Sequence, residues 1–450
     1  MSGLPTEPYK GTRDFYPEDM RVRNYIFGKW LNVVRRFGYE AYDAPLLEPV
    51  DIYEAKSGQE LVSEQTYQFT DRGDRKVAIR PELTPSVSRM VARRRQELPY
   101  PTRWYNIGQF MRYERPQRGR EREFWQLNVD IFGTDDIRAE AEIINLGSAI
   151  LAEFGATPDM YTIRVNNRKV INSMMANFLE LDAIQAQLMT KLFDRKGKIS
   201  NESFRDQAIE IFGPQRARQG LRKISQLLAA KSMADLPEVI RDSQAVKDVQ
   251  KLFTLLEKAG IRNAVFDITL MRGLDYYTGT VFEFFDNHPE NRRALFGGGR
   301  YDGLVGVFGV EPISAVGIAP GYTMTELFLQ VHNLIPKLSS TTDLYVAILP
   351  GVESEIDELV AGLRKEGVNV EVDFTKRKID KQLKTALKKG IRYMLFVGED
   401  EIKDKQYTLK DLRENQEEKV SLERIVSTVK DHRKNAHGQD EDLFVVEVVD

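Results

Sequence analysis

The chain has 450 residues, 42% of them hydrophobic, and 65 Lys/Arg against 68 Asp/Glu, so its formal net charge is −3. This length predicts two to four domains of roughly 100–200 residues each, and the charge excludes a globally basic nucleic-acid-binding protein. The absence of cysteine excludes disulfides and thiolate metal sites, and four scattered histidines argue against a protein-ligated zinc. Neither a signal-peptide core nor an apolar run of about 18 residues is found. We therefore expect a soluble, cytoplasmic protein.

The first half of the chain predicts long helices and short strands. Apolar residues at spacings of three and four predict a helix over 17–37, which Gly38 ends, and an extended, proline-rich stretch follows it. Next come a hairpin around Asp71–Asp74, two strands within 101–116 and 121–133 joined by a loop, and a helix near Thr134–Phe154. Residues 170–255 have helical periodicity and predict a separate helical module.

The second half predicts strands, a turn-rich stretch and then an α/β pattern. Strands are expected at 264–271 and 278–285, with turns at 296–309. Residues 315–328 predict a strand that passes into a helix, with Thr323 as N-cap and Glu326 three residues later. From Asp343 strands and helices alternate, as in a βαβ-type domain. The acidic tail, 436–450, predicts either disorder or an edge strand.

Five arginines fall within eleven residues of the predicted strand–loop–strand, some on the strand ends and some in the loop: Arg112, Arg115, Arg118, Arg120 and Arg122. An arginine on a sheet can hold a phosphate through two hydrogen bonds, and loop arginines can reach over that phosphate. Arginine is used throughout, and aromatic residues flank the loop, which favours a phosphate site. A solvated, charged hairpin is the alternative.

Two further stretches combine glycine, tyrosine and charge. In "MRGLDYYTGTVFEF", Arg272 precedes two adjacent tyrosines, one of which can line a pocket while the other packs. A surface turn before a buried strand is the alternative. In "GGGRYDGL", from Gly297 to Leu304, glycine lets the backbone approach a ligand closely, although an ordinary turn would have the same composition.

Two more stretches could contact ligands. Glu82 and Thr84 lie just before a helix that begins near Pro85, where a carboxylate and a hydroxyl could hold an ammonium group. Residues 376–392 carry eight Lys/Arg against one acid, which favours a nucleic-acid backbone patch over an ordinary exposed helix.

The order of these motifs resembles that of histidyl-tRNA synthetases. The motifs are "GTRDFYPEDM", "RPELTP", "MRYERPQRGREREFWQLNVDIFG", "RGLDYYTGTVFE" and "GGGRYDGL", and the similarity extends over residues 8–433. The resemblance implies an α+β catalytic domain with a mostly antiparallel sheet flanked by helices, a helical insertion and a C-terminal α/β anticodon-binding domain. The implied boundaries are 1–169 and 256–335 for the catalytic domain, 170–255 for the insertion, 336–342 for a linker, 343–435 for the anticodon-binding domain and 436–450 for the tail.

The resemblance also implies roles for individual residues. Histidine would be bound by Glu82, Thr84, Gln126, Asp130, Tyr277 and Tyr301. ATP, accompanied by Mg²⁺, would be bound by Arg112, Glu114, Arg120 and Gly321, and Arg112 and Arg272 would be catalytic. Contacts to tRNA(His) would come from Gln117, Arg118, Arg122, Lys376, Arg377 and Lys378. A homodimer would form through the helix at 17–37 and the strand ending at Pro45.

Two positions depart from the family pattern. The third motif of the family reads Gly-apolar-Glu-Arg-Leu, and here Met324 stands where that arginine is expected over the γ-phosphate. Asp130 replaces a frequent glutamate, which is a milder change. Loss of one charge-assisted phosphate contact would cost roughly 1.5–3 kcal/mol of binding free energy. A non-catalytic, histidine-sensing paralogue is therefore the alternative to an active synthetase, although both histidine motifs and the C-terminal domain favour the enzyme.

Overall fold

The computed structural model describes residues 3–55, 64–196, 199–230, 232–271, 276–349, 351–352, 355–375 and 377–437. The chain forms two compact units, one of residues 1–15 and 29–335 and the other of residues 16–28 and 336–450. Within the described ranges, no helix has both the length and the apolarity needed to span a lipid bilayer.

Up to residue 335 the chain alternates helices and strands as the sequence predicts. The elements in chain order are α1 (Pro17–Arg36), β1 (Glu40–Ala41), β2 (Leu47–Pro49), α2 (Asp51–Glu54), β3 (Gln68–Thr70), β4 (Lys76–Ile79), α3 (Thr84–Arg94), β5 (Thr102–Met111), β6 (Glu123–Phe132), α4 (Arg138–Glu153), β7 (Tyr161–Asn167), α5 (Arg168–Ser173), α6 (Ala183–Asp194), α7 (Asn201–Phe212), α8 (Ala217–Ala229), α9 (Glu238–Arg241), α10 (Gln244–Lys258), β8 (Ala264–Phe266), β9 (Thr280–Asp286), β10 (Ala294–Arg300), β11 (Ala315–Ile318) and α11 (Tyr322–Val331). The predicted helix at 17–37 is confirmed, and Gly38 follows it with a φ of 76°.

An eight-stranded mixed sheet forms the centre of the first unit. Its order is β1-β5-β6-β11-β10-β9-β7-β8, and only the outer pairs β1–β5 and β7–β8 are parallel. The hairpin of β5 and β6 pairs over ten residues, from Thr102 opposite Phe132 to Met111 opposite Glu123. The sheet is therefore mostly antiparallel. The end of β5 and the start of β6 lie beside the start of α11.

A second, three-stranded sheet is built from β2, β4 and β3 in that order. Strands β3 and β4 form the hairpin expected around Asp71–Asp74. The Asp71 carboxylate accepts hydrogen bonds from the backbone N–H groups of Gly73 at 2.8 Å and Arg75 at 3.0 Å, and so closes the turn.

Helices α5 to α10 pack around an apolar core of their own. Met189, Phe204, Phe212 and Leu227 are buried in it. The helical periodicity of residues 170–255 is thus confirmed, while the boundaries of that region as a separate domain stay a prediction.

The second unit contains a five-stranded sheet. Its elements are β12 (Leu344–Ile348), α12 (Ile356–Lys365), β13 (Val370–Val372), α13 (Ile379–Lys389), β14 (Tyr393–Val397), α14 (Glu399–Asp404), β15 (Tyr407–Asp411), β16 (Gln416–Val420) and α15 (Leu422–His437). The order is β13-β12-β14-β15-β16, parallel for the first three strands and antiparallel beyond them. The expected βαβ pattern is confirmed. The predicted disorder or edge strand of the tail concerns residues that, from 438 onward, lie outside the described ranges.

Three local predictions were wrong. Gly297–Gly299 lie in strand β10, between β9 and β11, instead of in a turn. Strand β8 ends at Phe266 because Asp267 turns the chain by accepting a 2.8 Å hydrogen bond from the N–H of Thr269. The N-cap of α11 is Gly321 and not Thr323.

Candidate active site

A cavity of about 360 Å³ opens beside the central sheet of the first unit. It is lined by side chains of β6, of the start of α3 and of the segments around β9, β10 and β11. The polar residues on its wall are Glu82, Thr84, Arg112, Gln126, Asn128, Asp130, Tyr276, Tyr277, Glu283 and Tyr301. All six residues expected to bind histidine are among them.

Strand β6 supplies three of these side chains through its period of two. Gln126, Asn128 and Asp130 alternate along the strand and point to the same face of the sheet. The neighbouring strand β11 places Gly317 opposite Asp130, and a β-carbon on Gly317 would overlap the Asp130 carboxylate. Gly317 therefore makes room for a protein carboxylate inside the cavity.

The glycines of β10 make room for a tyrosine in the same way. A β-carbon on Gly299 would lie 2.8 Å from Cδ1 of Tyr277 and 2.6 Å from the carbonyl oxygen of Thr280. Gly299 thus lets the Tyr277 ring lie against β10, whereas a β-carbon on Gly297 or Gly298 would overlap a carbonyl oxygen of a neighbouring strand. This tertiary requirement explains why a turn-like composition forms a strand.

Two buried hydrogen bonds fix carboxylates in the cavity. The hydroxyl of Tyr301 donates to Oδ1 of Asp130 at 2.5 Å, and the hydroxyl of Tyr276 donates to Oε2 of Glu82 at 2.8 Å. Burial raises the pKa of Asp130 to about 7, and the Tyr301 hydrogen bond opposes that rise. These hydrogen bonds hold both carboxyl groups at the cavity wall, where their oxygens can accept hydrogen bonds.

The strand end that carries Tyr301 is anchored by a buried ion pair. Arg300 donates from Nε and Nη2 to the two carboxylate oxygens of Glu140, both at 2.6 Å, and from Nη1 to the carbonyl oxygen of Thr134 at 3.0 Å. Its Nη1 also donates to Asp302 at 3.1 Å. Bidentate pairs of this kind restrict geometry strongly, so the backbone on each side of Tyr301 is held in position.

A smaller cavity of about 130 Å³ adjoins the first. Arg112, Gly321 and Met324 line both cavities, and the remaining wall of the smaller one consists of Glu114, Gly119, Arg120, Glu121, Phe124, Trp125, Tyr322 and Thr323. All four residues expected to bind ATP are therefore in this wall.

The arginines of the smaller cavity already have partners within the protein. Nε of Arg112 donates to the carbonyl oxygen of Pro81 at 2.8 Å, and its guanidinium lies 5.3 Å from the centre of the Phe124 ring. Arg120 forms an ion pair with the buried carboxylate of Glu114. The side chain of Arg120 is 43% exposed, so a ligand anion can reach it.

The start of α11 packs against the loop that joins β5 to β6. A β-carbon on Gly119, whose φ is 75°, would overlap Sδ of Met324, so the thioether lies directly against the loop backbone. The hydroxyl of Thr323 donates to the Glu121 carboxylate at 2.7 Å. The position expected to hold an arginine is thus occupied by an apolar contact between helix and loop.

The N-terminal segment covers the other side of this loop. Nη1 of Arg13 pairs with Oε2 of Glu326 on α11 at 2.7 Å. Arg122 is buried, where its Nη1 donates to the Tyr9 hydroxyl at 2.9 Å and its backbone N–H to the Gly11 carbonyl at 2.7 Å. Residues 9–13 therefore connect the loop and α11 to the beginning of the chain.

Comparison with known sequences decides the family. The profile described as "Histidyl-tRNA synthetase" matches residues 11–323, and that described as "Anticodon binding domain" matches residues 343–432. The chain belongs to the histidyl-tRNA synthetase family. Its sequence is 41% identical to the "Histidine--tRNA ligase" of Leptospira biflexa serovar Patoc over 432 residues, which cover 95% of this chain and 98% of that protein.

Solved structures agree with the histidyl-tRNA synthetase fold. The histidyl-tRNA synthetase of Nostoc sp. PCC 7120 superposes with a TM-score of 0.78 at 23% identity, over 96% of this chain and 100% of that one. A Bacillus halodurans protein described as an ATP phosphoribosyltransferase regulatory subunit/histidyl-tRNA synthetase has a TM-score of 0.70 at 22% identity, over 85% and 97% of the two chains. The expected fold class is confirmed, although at these identities the likeness concerns the fold alone.

The expected RNA-binding residues of this synthetase-family chain lie in different surroundings. Gln117 and Arg118 are exposed on the loop, and Arg118 forms a surface ion pair with Glu290 at 3.3 Å. Arg377 and Lys378 are exposed in the second unit, just before α13. Arg272 and Lys376 lie outside the described residues.

Sequence reasoning missed several residues of the synthetase-family site. Tyr276 was one of two adjacent tyrosines in a recognised motif, so the motif itself could have indicated it. Asn128 could have been found from the alternation of β6. The pairing of Glu140 with Arg300 joins residues 160 positions apart, and nothing in the local sequence of either residue indicates the other.

Proposed function

We propose that this chain activates L-histidine with ATP to form histidyl-adenylate and then transfers histidine to the 3′ end of tRNA(His). The observation that carries the proposal is the pair of adjoining cavities, one with buried carboxylates and tyrosines and the other with arginines, which share Arg112. The family and the ligase relatives at 41% identity support the same reaction.

The acceptors of the larger cavity suit a small ligand that carries N–H groups, such as the ammonium and imidazole groups of histidine. Asp130 and Glu82 can accept hydrogen bonds from N–H groups, while Tyr277 and Thr84 add a ring and a hydroxyl. Since the two carboxyl groups are buried, an apolar amino acid of similar size would leave them without ligand partners and would bind poorly. This supports histidine as the substrate.

In the first step a carboxylate oxygen of histidine attacks the α-phosphorus of ATP, a P–O bond forms, and pyrophosphate leaves with the electrons of the broken bond. We assign Arg112 to the α-phosphate because it lines both cavities. Arg120 would leave Glu114 to bind the outer phosphates, and Glu114 and Gly321 would bind the adenosine part. When Mg²⁺ accompanies ATP, the metal ion would neutralise part of the phosphate charge.

Arg272 is assigned to the same α-phosphate by its place in the motif that also contains Tyr277. Replacing it with alanine is expected to reduce adenylate formation far more than histidine affinity. An equal fall in adenylate formation and in histidine affinity would contradict the assignment of Arg272 to the α-phosphate.

In the second step a ribose hydroxyl of the terminal nucleotide attacks the adenylate carbonyl, and AMP leaves. Gln117 and Arg118 are exposed on the loop beside the cavities, which supports their proposed contact with the acceptor end. Arg122 is buried against Tyr9, and we now propose that it acts through the shape of the loop. Lys376, Arg377, Lys378 and the homodimer through the helix at 17–37 remain part of this proposal.

Histidine-dependent exchange of pyrophosphate into ATP tests the function. Activity without tRNA is expected, and histidinol, which lacks the attacking carboxylate, should not support it. The solved structure described as a regulatory subunit has the same fold, so fold alone does not separate the enzyme from a histidine-sensing paralogue. Histidine binding without exchange would favour the paralogue.

A further inference from the structure

Phe374 lies on the surface of the second unit, in the loop between β13 and α13. Its side chain is 70% exposed, whereas the preceding residue, Asp373, is only 5% exposed. A large aromatic side chain in water at this position is unfavourable for stability, because burial of such a ring is a major source of folding free energy.

The loop is held in shape by Asp373. Its Oδ2 accepts hydrogen bonds from the Tyr345 hydroxyl and from Nη2 of Arg377, both at 2.7 Å, and its Oδ1 accepts one from the N–H of Thr375 at 2.8 Å. Burial acts to raise the pKa of Asp373, but these hydrogen bonds outweigh burial and lower the pKa. The carboxylate stays ionised and fixes its neighbours Thr375 and Arg377, while Phe374 is exposed to solvent.

The helix that follows carries a row of lysines. Lys381, Lys384 and Lys388 are spaced three and four residues apart, so they lie on one face of α13 and are exposed. Gln382 and Ala386 are buried on the opposite face. This row begins one helical turn after the loop that presents Phe374.

The position in the sheet also suits a ligand. Loops that follow parallel strands gather at the carboxyl edge of the sheet, where α/β domains commonly bind their ligands. The loop after β13 is one of these. The acidic first turn of α14, with Glu399 and Asp400, follows β14 on the other side of β12 and would repel phosphates there. A polyanion is therefore directed towards α13.

We propose that Phe374 is a stacking platform for an unpaired RNA base and that the lysine row of α13 binds the adjoining phosphates. An exposed aromatic ring beside a line of cations is the arrangement by which proteins bind single-stranded RNA, since every base has a face that can stack. The inference rests on the proposed tRNA function and assigns it a specific base-contacting side chain.

The test measures aminoacylation with the full-length chain and tRNA(His). Phe374→Ala is expected to raise KM for tRNA about tenfold or more, and Phe374→Trp to keep it within about threefold of the wild type. Histidine-dependent pyrophosphate exchange, which needs no tRNA, should be unchanged in both. Leu387→Ala is the matched control, because Leu387 is apolar, 52% exposed and beside the lysine row on α13, but has no aromatic ring on which a base could stack.

A binding measurement separates this inference from the proposed function. The fluorescence of Phe374→Trp should be quenched by the anticodon stem–loop RNA of tRNA(His), and Lys384→Gln should reduce the salt dependence of that binding by about one counterion. Absence of exchange in the wild type would contradict the enzyme and leave this binding test intact. Unchanged KM for tRNA and unchanged RNA affinity in Phe374→Ala would overturn the inference. A Phe374→Ala variant that changed only the sedimentation of the protein would also overturn it, because the ring would then contact a second copy of the chain.

Discussion

The two adjoining cavities of the first unit are built in opposite ways. In the larger one the carboxylates of Asp130 and Glu82 are buried and each receives a tyrosine hydroxyl. In the smaller one Arg120 is 43% exposed and pairs with Glu114, a partner that a phosphate can replace. Under the proposed function, buried and fixed acceptors would select the amino acid strictly, and an exposed arginine with a replaceable partner would bind the flexible triphosphate.

The largest effect is expected on stability, when the buried ion pair of Arg300 and Glu140 beside the larger cavity is broken. Arg300→Gln should lower the free energy of unfolding by about 3–5 kcal/mol, because it leaves the Glu140 carboxylate buried without its charged partner. Chemical denaturation measures this loss. Arg138→Gln is the control, since Arg138 forms an exposed pair with Asp136 and its replacement should change the free energy of unfolding far less.

Selection of histidine should depend on the carboxylate that Tyr301 holds. Asp130→Asn is expected to lower kcat/KM for histidine by roughly 100-fold, because a buried charged acceptor becomes a neutral amide. The measurement is pyrophosphate exchange at varied histidine, with KM for ATP as the internal reference. A similar rise in KM for ATP would mean that the two cavities do not bind the two substrates separately as proposed.

Binding of ATP in the smaller cavity should depend on its exposed arginine, Arg120. Arg120→Ala is expected to raise KM for ATP about tenfold to 100-fold, because one charge-assisted phosphate contact is lost, and to leave histidine affinity within about threefold. Arg118→Ala is the matched variant from the same loop. If both variants raised KM for ATP equally, the loop would act by its total charge and not through Arg120.

The smallest effect is expected at the position where the family has an arginine. Met324→Arg should change KM for ATP by less than about threefold, since Arg112 and Arg120 already line the smaller cavity. Steady-state kinetics measure this, with Met324→Leu as the control for the contact with Gly119. A large fall in KM would instead show that the native cavity lacks a cation it could use.

The sequence predicted the parts of this molecule that depend on local pattern. Amphipathic spacing predicted α1, and alternation with turn residues predicted the hairpins. The family motifs named six residues that line the larger cavity and four that line the smaller one, while the roles of these residues stay a prediction. Gly297–Gly299 were misread because their strand is required by the ring of Tyr277 and the neighbouring strands, which are contacts between segments. The ion pair of Arg300 and Glu140 was not predicted for the same reason, since it also joins distant segments of the chain.

The N-terminal segment has a consequence for the order in which the protein is made. Arg13 leaves the ribosome before its partner Glu326, which follows 313 residues later. At about 5–20 residues per second, synthesis of the intervening chain takes about 15–60 s. During that time the segment has no helix α11 to pair with. The contacts that α11 makes with Arg13 and with the loop between β5 and β6 therefore form only after the last helix of the first unit has been synthesised.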